Sequence, residues 1–246
     1  MAHARYRERM SRSDPRLYLS AEGETFTQGC EISLAPGQAH YLGYVMRHSV
    51  GDAVRVFNGR DGEWSARIHT LRKDRGSVVL RNLERPQCAT QGAELLFAPL
   101  KRDATELVIR MGTELGVTSF RPVVTERTNT HRLNADRLLL IAEEAAEQCE
   151  RLDVPHIQPL SPLRQVLAEW PEGRALCVAL ERQQEETGTV SGEALLIGPE
   201  GGFSEAEVAL LKRHPAVRSI SLGSLILKAE TAVCAGLVRL AVARGF

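Results

Sequence analysis

From residue 93 onward the chain alternates apolar runs short enough for strands with amphipathic stretches long enough for helices, and this constrains its fold more than any other feature. "ELLFAPL", "SFRPVVT", "ALCVAL", "ALLIG" and "RSISLG" read as strands; residues 104–115, 135–150, 205–213 and 231–243 read as helices. A strand reaches a parallel neighbour only through a crossover, usually helical, so the alternation predicts a mainly parallel sheet covered by helices. Upstream the texture differs. "RLYLS", "AVRVFNGRDGEWSARIH" and "GSVVLRNL" are short, alternating segments with Asn58-Gly59 and Asp61-Gly62 as turn signals, interrupted by one helical stretch, "GQAHYLGYVMRHS". The expected organisation is a small β-barrel-like domain over residues 1–85, a linker through "ERPQCATQGA", and an α/β domain over residues 93–246.

Charge adds a second asymmetry. The formal net charge is zero, yet residues 1–132 hold 20 Lys and Arg against 15 Asp and Glu, and residues 133–246 hold 11 against 16. The basic excess is mostly arginine, whose planar fork suits phosphate, so the front half is a candidate phosphate-tracking surface, with Arg12, Arg16 and Arg72 as its chosen contacts. The five cysteines are widely spaced, odd in number and never in a C-x-x-C pair, which signals neither a disulfide framework nor a zinc site. Free, mostly buried thiols and no metal are expected. No apolar run is long enough for a membrane span, and "MAHARYRERMSRSD" lacks the apolar centre of a secretion signal; the expectation is a cytoplasmic protein.

In an open parallel sheet, ligands bind beyond the carboxyl ends of the strands. "ALLIG" followed by "PEGG" is such a place. Gly201 and Gly202 carry no side chain to hold a ligand off the backbone, and Ser204 with Glu207 forms an S-x-x-E capping box that fixes the exit into the next helix. A lone Gly-Gly pair most often makes only a tight turn, but "SISLGSLILKAETAVCAGL" repeats the arrangement: a strand end at Leu222-Gly223, an irregular apolar segment, then a helix. Neither loop fits G-x-G-x-x-G or G-x-x-x-x-G-K-[ST], which disfavours a Rossmann dinucleotide site and a P-loop.

"LLIGPEGGFSEAEV" and "LGSLILKAETA" together resemble the SPOUT superfamily of S-adenosylmethionine-dependent RNA methyltransferases, specifically the RsmE family acting on N3 of a uridine in small-subunit (16S) ribosomal RNA. "HYLGYVMRHSVGDAVRVFNGRDGEWSARI" is similar to that family's PUA-like RNA-binding domain, and "TELGV", "ERTNT" and "EQCERLDVPHI" follow in the family's order. The resemblance implies an N-terminal PUA-like β-barrel domain and a C-terminal SPOUT α/β domain with a deep trefoil knot. It also implies a homodimer and a cofactor held bent in the knot. Carried over by position, Leu196, Ile197, Gly198, Glu200, Gly201 and Gly202 form one cofactor loop, Leu222 and Gly223 a second, and Leu227, Lys228, Glu230, Thr231 and Ala232 a third.

The sequence departs from that pattern at Leu225 and Lys228, where the family usually has arginines, and at Glu150, where it tends to have glycine. Methyl transfer to N3 also requires loss of the N3 proton. Glu230 and Glu126 are candidate acceptors and Arg127 a candidate for stabilising charge on the uracil oxygens. Because N3 lies on the Watson–Crick edge, the target base must be unpaired or flipped out. The altered Leu225 and Lys228 keep an alternative in view: a non-catalytic RNA-binding or ribosome-assembly protein on the same fold.

Overall fold

The computed structural model describes residues 14–20, 25–180 and 192–245, and the chain divides into two units. Unit 1 comprises residues up to Ala89 together with Glu150–Asp153; unit 2 comprises Thr90–Cys149 and everything from Val154 on.

Unit 1 is built on a five-stranded sheet in the order β1-β3-β4-β5-β2: β1 (Arg16–Tyr18), β2 (Glu31–Ser33), β3 (Ala53–Phe57), β4 (Glu63–Arg72) and β5 (Arg75–Arg85). β1 runs parallel to β3 and the other pairs are antiparallel. Alternation along the strands sends Val54 and Val56, Ala66 and Ile68, and Val78 and Leu80 into one core. The β3–β4 connection fulfils both turn signals: Gly59 and Gly62 take left-handed φ of 80° and 81°, and Asn58 Oδ1 accepts from the amides of Arg60 and Asp61. A Cβ on Gly62 would lie 2.3 Å from the Arg85 carbonyl oxygen, so only glycine fits. The predicted helix is shorter than its pattern: α1 (Pro36–His40) passes into a π-helical turn (Tyr41–Val45) that buries Leu42 and leaves Tyr44 and Val45 exposed.

Glu63 is fully buried and pairs with Arg16 and Arg85. Arg16 also lies over the Phe57 ring at 4.5 Å and donates to the Arg151 carbonyl, while Arg85 donates to the Glu150 carbonyl. Two arginines thus hold the backbone of the 150–153 return within this unit. Glu150 sits there at φ +61°, a left-handed conformation in which a side chain is disfavoured, which explains why glycine suits that position.

Unit 2 contains the predicted parallel sheet. Its strands are β6 (Glu94–Phe97), β7 (Ser119–Val124), β8 (His156–Ile157), β10 (Leu176–Ala179), β11 (Ala194–Ile197) and β12 (Val217–Ile220), ordered β12-β10-β11-β6-β7-β8 with every pairing parallel. A short β9 (Ser161–Pro162) adds to β7. The helices are α2 (Arg102–Glu114), α3 (Ala135–Gln148), α4 (Leu163–Ala168), α5 (Glu205–Arg213) and α6 (Ala229–Ala243). Period-two alternation splits the strands between two cores. Leu95, Phe97, Leu195 and Ile197 meet α2, α3 and α6, whereas Leu96, Leu176, Val178 and Leu196 meet α4 and α5. Each fully buried Leu or Phe contributes about 1.5–3 kcal/mol, and the sheet is covered on both faces. α6 approaches β11 closely: a Cβ on Gly236 would lie 2.7 Å from the Leu195 side chain.

At the amino ends of the strands Glu94, 4% exposed, is held between Arg121 and Arg174, so the charges there are mutually satisfied. All five cysteines are free, but only Cys177 is buried; Cys88 and Cys149 are exposed because they lie in a connecting segment and at the carboxyl cap of α3. Burial pushes the Cys177 thiol up in pKa. Among the described residues no helix is long and apolar enough to cross a membrane.

Candidate functional site

At the carboxyl ends of β10, β11 and β12 the loops open onto a cavity of about 1220 Å³. The first wall is the segment after β11. Gly202 turns the chain at φ +66°, its amide donating to the Pro199 carbonyl at 2.8 Å; Gly201 needs no such conformation, and a Cβ there would stand 3.6 Å from the Arg127 side chain, which packs against it. The Phe203 ring lies over Gly198, where a Cβ would come within 3.0 Å of it. Ser204 then caps α5 by accepting from the Glu207 amide, and the Glu207 carboxylate accepts from the Ser204 amide, the capping box expected from the sequence.

Glu207 does more than cap. It is 3% exposed, and its second oxygen accepts from the Glu126 amide at 2.8 Å, tying the segment after β7 to the segment after β11. Thr125 and Thr128 brace that first segment through a hydroxyl–hydroxyl bond of 2.8 Å. The result places Arg127 in the cavity wall, where its guanidinium donates to the Gly201 carbonyl at 2.7 Å.

The second wall runs from Ser221 to Lys228. Gly223 has φ +114° with nothing within 4 Å of where a Cβ would stand. Arg239 of α6 donates to the Ser221 carbonyl, and Leu225 and Ile226 are 79% and 68% exposed. Lys228 is the N-cap of α6 in extended conformation, with no capping bond from its side chain.

Of the residues expected to hold the cofactor, Ile197, Gly198, Glu200, Gly201, Gly202, Leu222, Gly223, Leu227, Lys228 and Ala232 line this one cavity. Leu196 is fully buried with its side chain in the α4–α5 core, and Thr231 lies on the first turn of α6 outside the lining. Of the three catalytic candidates, Arg127 is in the wall. The Glu126 carboxylate points to Arg164 at 3.6 Å on an exposed surface, and Glu230 is half-buried in the first turn of α6; neither lines the cavity. Sequence reasoning missed Leu180, Pro199 and Phe203 in the lining, and it found Glu207 only as a cap, not as the partner of the Glu126 amide. Leu180 was within reach of the strand-end rule, since it immediately follows β10. The three RNA-contact candidates scatter: Arg12 lies outside the described residues, Arg16 is turned inward onto Glu63 with its side chain 7% exposed, and Arg72 stands exposed at the end of β4.

The family model described as "RNA methyltransferase domain" matches residues 89–241, which include the sheet and every loop of this cavity, and "RNA methyltransferase PUA domain" matches residues 34–80. The Rickettsia conorii protein named ribosomal RNA small subunit methyltransferase E is 34% identical over 226 residues, covering 88% of this chain and 91% of that one; the Bacillus subtilis protein of that name is 29% identical, covering 88% and 92%. The chain belongs to the ribosomal RNA small subunit methyltransferase E family. Among solved structures, Legionella pneumophila Lpg2936 in complex with the bound cofactor SAM superposes with a TM-score of 0.85 at 30% identity, covering 94% of this chain and 98% of that one. The Neisseria gonorrhoeae ribosomal RNA small subunit methyltransferase E, bound to S-adenosyl methionine, gives 0.79 at 25% identity with the same coverage.

Proposed function

We propose that this protein uses S-adenosylmethionine to methylate N3 of a uridine in 16S ribosomal RNA, on the naked RNA or the small subunit. The observation that carries the reading is the cavity itself: two glycine-bearing loops meet at three parallel strand ends, in a family with cofactor-bound structures. The cradle suits an adenosyl ligand, because Gly201, Gly202 and Gly223 bring backbone against it while Ile197, Leu222 and Leu227 supply apolar wall for a flat ring. When bound, S-adenosylmethionine supplies a methyl group already activated on sulfonium.

The protein's task is then positioning and proton removal. Holding the uracil nitrogen in line and excluding water can contribute roughly 7–11 kcal/mol. Arg127, fixed by Gly201, is placed to stabilise charge gathering on the uracil oxygens. Glu230 and Glu126 remain the candidate proton acceptors; both carboxylates stand outside the cavity wall and must be reached by the bound base. The proposed arrangement further comprises a PUA-like barrel over residues 1–85 that grips RNA, a methyltransferase domain over 93–246 with its cofactor loops drawn through a trefoil knot, a cytoplasmic homodimer, and no metal. The apolar Leu225 and Ile226 and the exposed Val238 and Val242 on α6 favour the homodimer, since a second copy would cover them.

Incubation with radiolabelled cofactor and either 16S rRNA or small subunits tests the reading. Label should enter one uridine and block reverse transcription there, as methylation of the Watson–Crick edge must. Cofactor binding without any transfer would instead establish the non-catalytic alternative.

A further inference from the structure

The basic excess of the front half has a second location that the sequence did not disclose. On the solvent face of unit 1 a groove of about 380 Å³ lies between the Val50-Gly51 turn and the paired strands β4 and β5. Strand alternation puts Arg67 and His69 of β4 on this face with Val79 and Arg81 of β5, and Arg67 stands directly opposite Val79. Among the described residues no carboxylate is part of the groove's lining, although Glu31 of β2 stands opposite Val79 on its other side. The Arg67 guanidinium is positioned by a 3.1 Å bond to the Gly51 carbonyl, while His69 and Arg81 have no partner among the described residues. The nearby acid, Asp52, accepts from the Ser49 amide at 2.8 Å, contacts His48 Nδ1 at 3.2 Å and also feels the charge of Arg67, so of the groove's cations Arg67 is the one with an acid beside it.

Arg81 and His69 project from adjacent strands beside Arg67 with no ion pair of their own among the described residues, so like charges there repel one another. An anion relieves that repulsion. The groove is open along the strands, and its cations are flanked by Val79 and by Val50, itself 61% exposed. Charge beside apolar contact matches a ribose-phosphate backbone better than a free anion.

We infer that this groove is where a single-stranded segment of the substrate RNA is held, with Arg81, Arg67 and His69 on successive phosphates. The inference rests on the RNA methyltransferase reading and gives its RNA grip an address different from Arg16, which faces inward.

The test is fluorescence anisotropy of the full-length protein with a labelled single-stranded fragment of small-subunit rRNA across a salt series, alongside calorimetry with S-adenosylmethionine. His69→Gln/Arg81→Gln removes only side chains that have no internal partner, so the fold should persist. RNA affinity should fall at least about fivefold, and the salt slope of log affinity should drop by about 0.7 for the lost arginine contact, with cofactor affinity unchanged. Arg81→Lys, which keeps the charge, should recover most of the loss seen for Arg81→Gln. A His69→Gln/Arg81→Gln protein that binds RNA with wild-type affinity and slope overturns the groove assignment. Failure of the functional reading is separate: wild-type protein that binds the fragment through this groove but transfers no methyl group leaves the inference standing and removes the activity.

Discussion

The groove of unit 1 and the cavity of unit 2 present opposite parts of the chain to a ligand. In the groove, side chains project from paired strands and carry the charge; the backbone beneath them is consumed in sheet hydrogen bonds. In the cavity, the strands have ended, and the lining includes Gly198, Gly201, Gly202 and Gly223, which have no side chain to cover their backbone. The contrast follows from topology. Antiparallel strands joined by a tight hairpin offer their faces, whereas parallel strands joined by crossovers offer their ends. A polyanion read through charge suits the first, and a small molecule read through shape suits the second.

The sharpest way to break this comparison is Gly202→Val. A branched side chain at φ +66° would abandon the turn after β11, and cofactor affinity should fall about a hundredfold or more in calorimetry while RNA affinity holds. If both affinities fall together, the two sites are not separate. In its proposed role Arg127 makes a contact that strengthens as charge moves onto the base, so Arg127→Ala should cut the single-turnover methylation rate by about tenfold or more at saturating cofactor and RNA. A defect that extra RNA repairs would move Arg127 from chemistry to binding.

A smaller effect isolates unit 1. The Arg60 guanidinium, with the Phe26 amide and Asn58, holds the Asp61 carboxyl down to about 2. A depressed folded-state pKa gives stability that is present above the ordinary carboxylate range and lost as pH falls toward about 2. Asp61→Asn should therefore lower the melting temperature at neutral pH, and the gap from wild type should close between about pH 4 and pH 2. A constant gap would assign Asp61's role to shape rather than charge. Smallest of all, Glu150→Gly should stabilise the protein by about 1 kcal/mol, since it relieves a left-handed non-glycine residue. Thermal melts should rise by a few degrees with both ligand affinities unchanged.

What could be read from sequence follows how local the cause is. α5 begins and ends where the pattern put it, over Glu205–Arg213, because a capping box lies within one turn of the helix it starts. The five long strands of unit 2 announced themselves as apolar runs, whereas β2 and β9, with three and two residues, are too short to show a period. The helical pattern after Gln38 could not foretell a π turn, since that depends on Leu42 reaching a core formed by distant strands. Side-chain direction was the weakest reading. Leu196 and Ile197 are neighbours in one motif yet face different cores, and Arg16 and Arg81 carry the same charge although only Arg81 points outward. A charge count locates arginines along the chain, not in space.

Glu207 joins its own helix start to Glu126, 81 residues away, one carboxylate oxygen accepting from the Ser204 amide and the other from the Glu126 amide. Neither segment can be displaced without breaking a buried bond that the other shares, so their equilibria are coupled. On the proposed roles linkage then works in both directions: an adenosyl ligand that orders the segment after β11 would favour the placement of Arg127, and a base engaged by Arg127 would tighten the hold on the adenosyl ligand by the same factor.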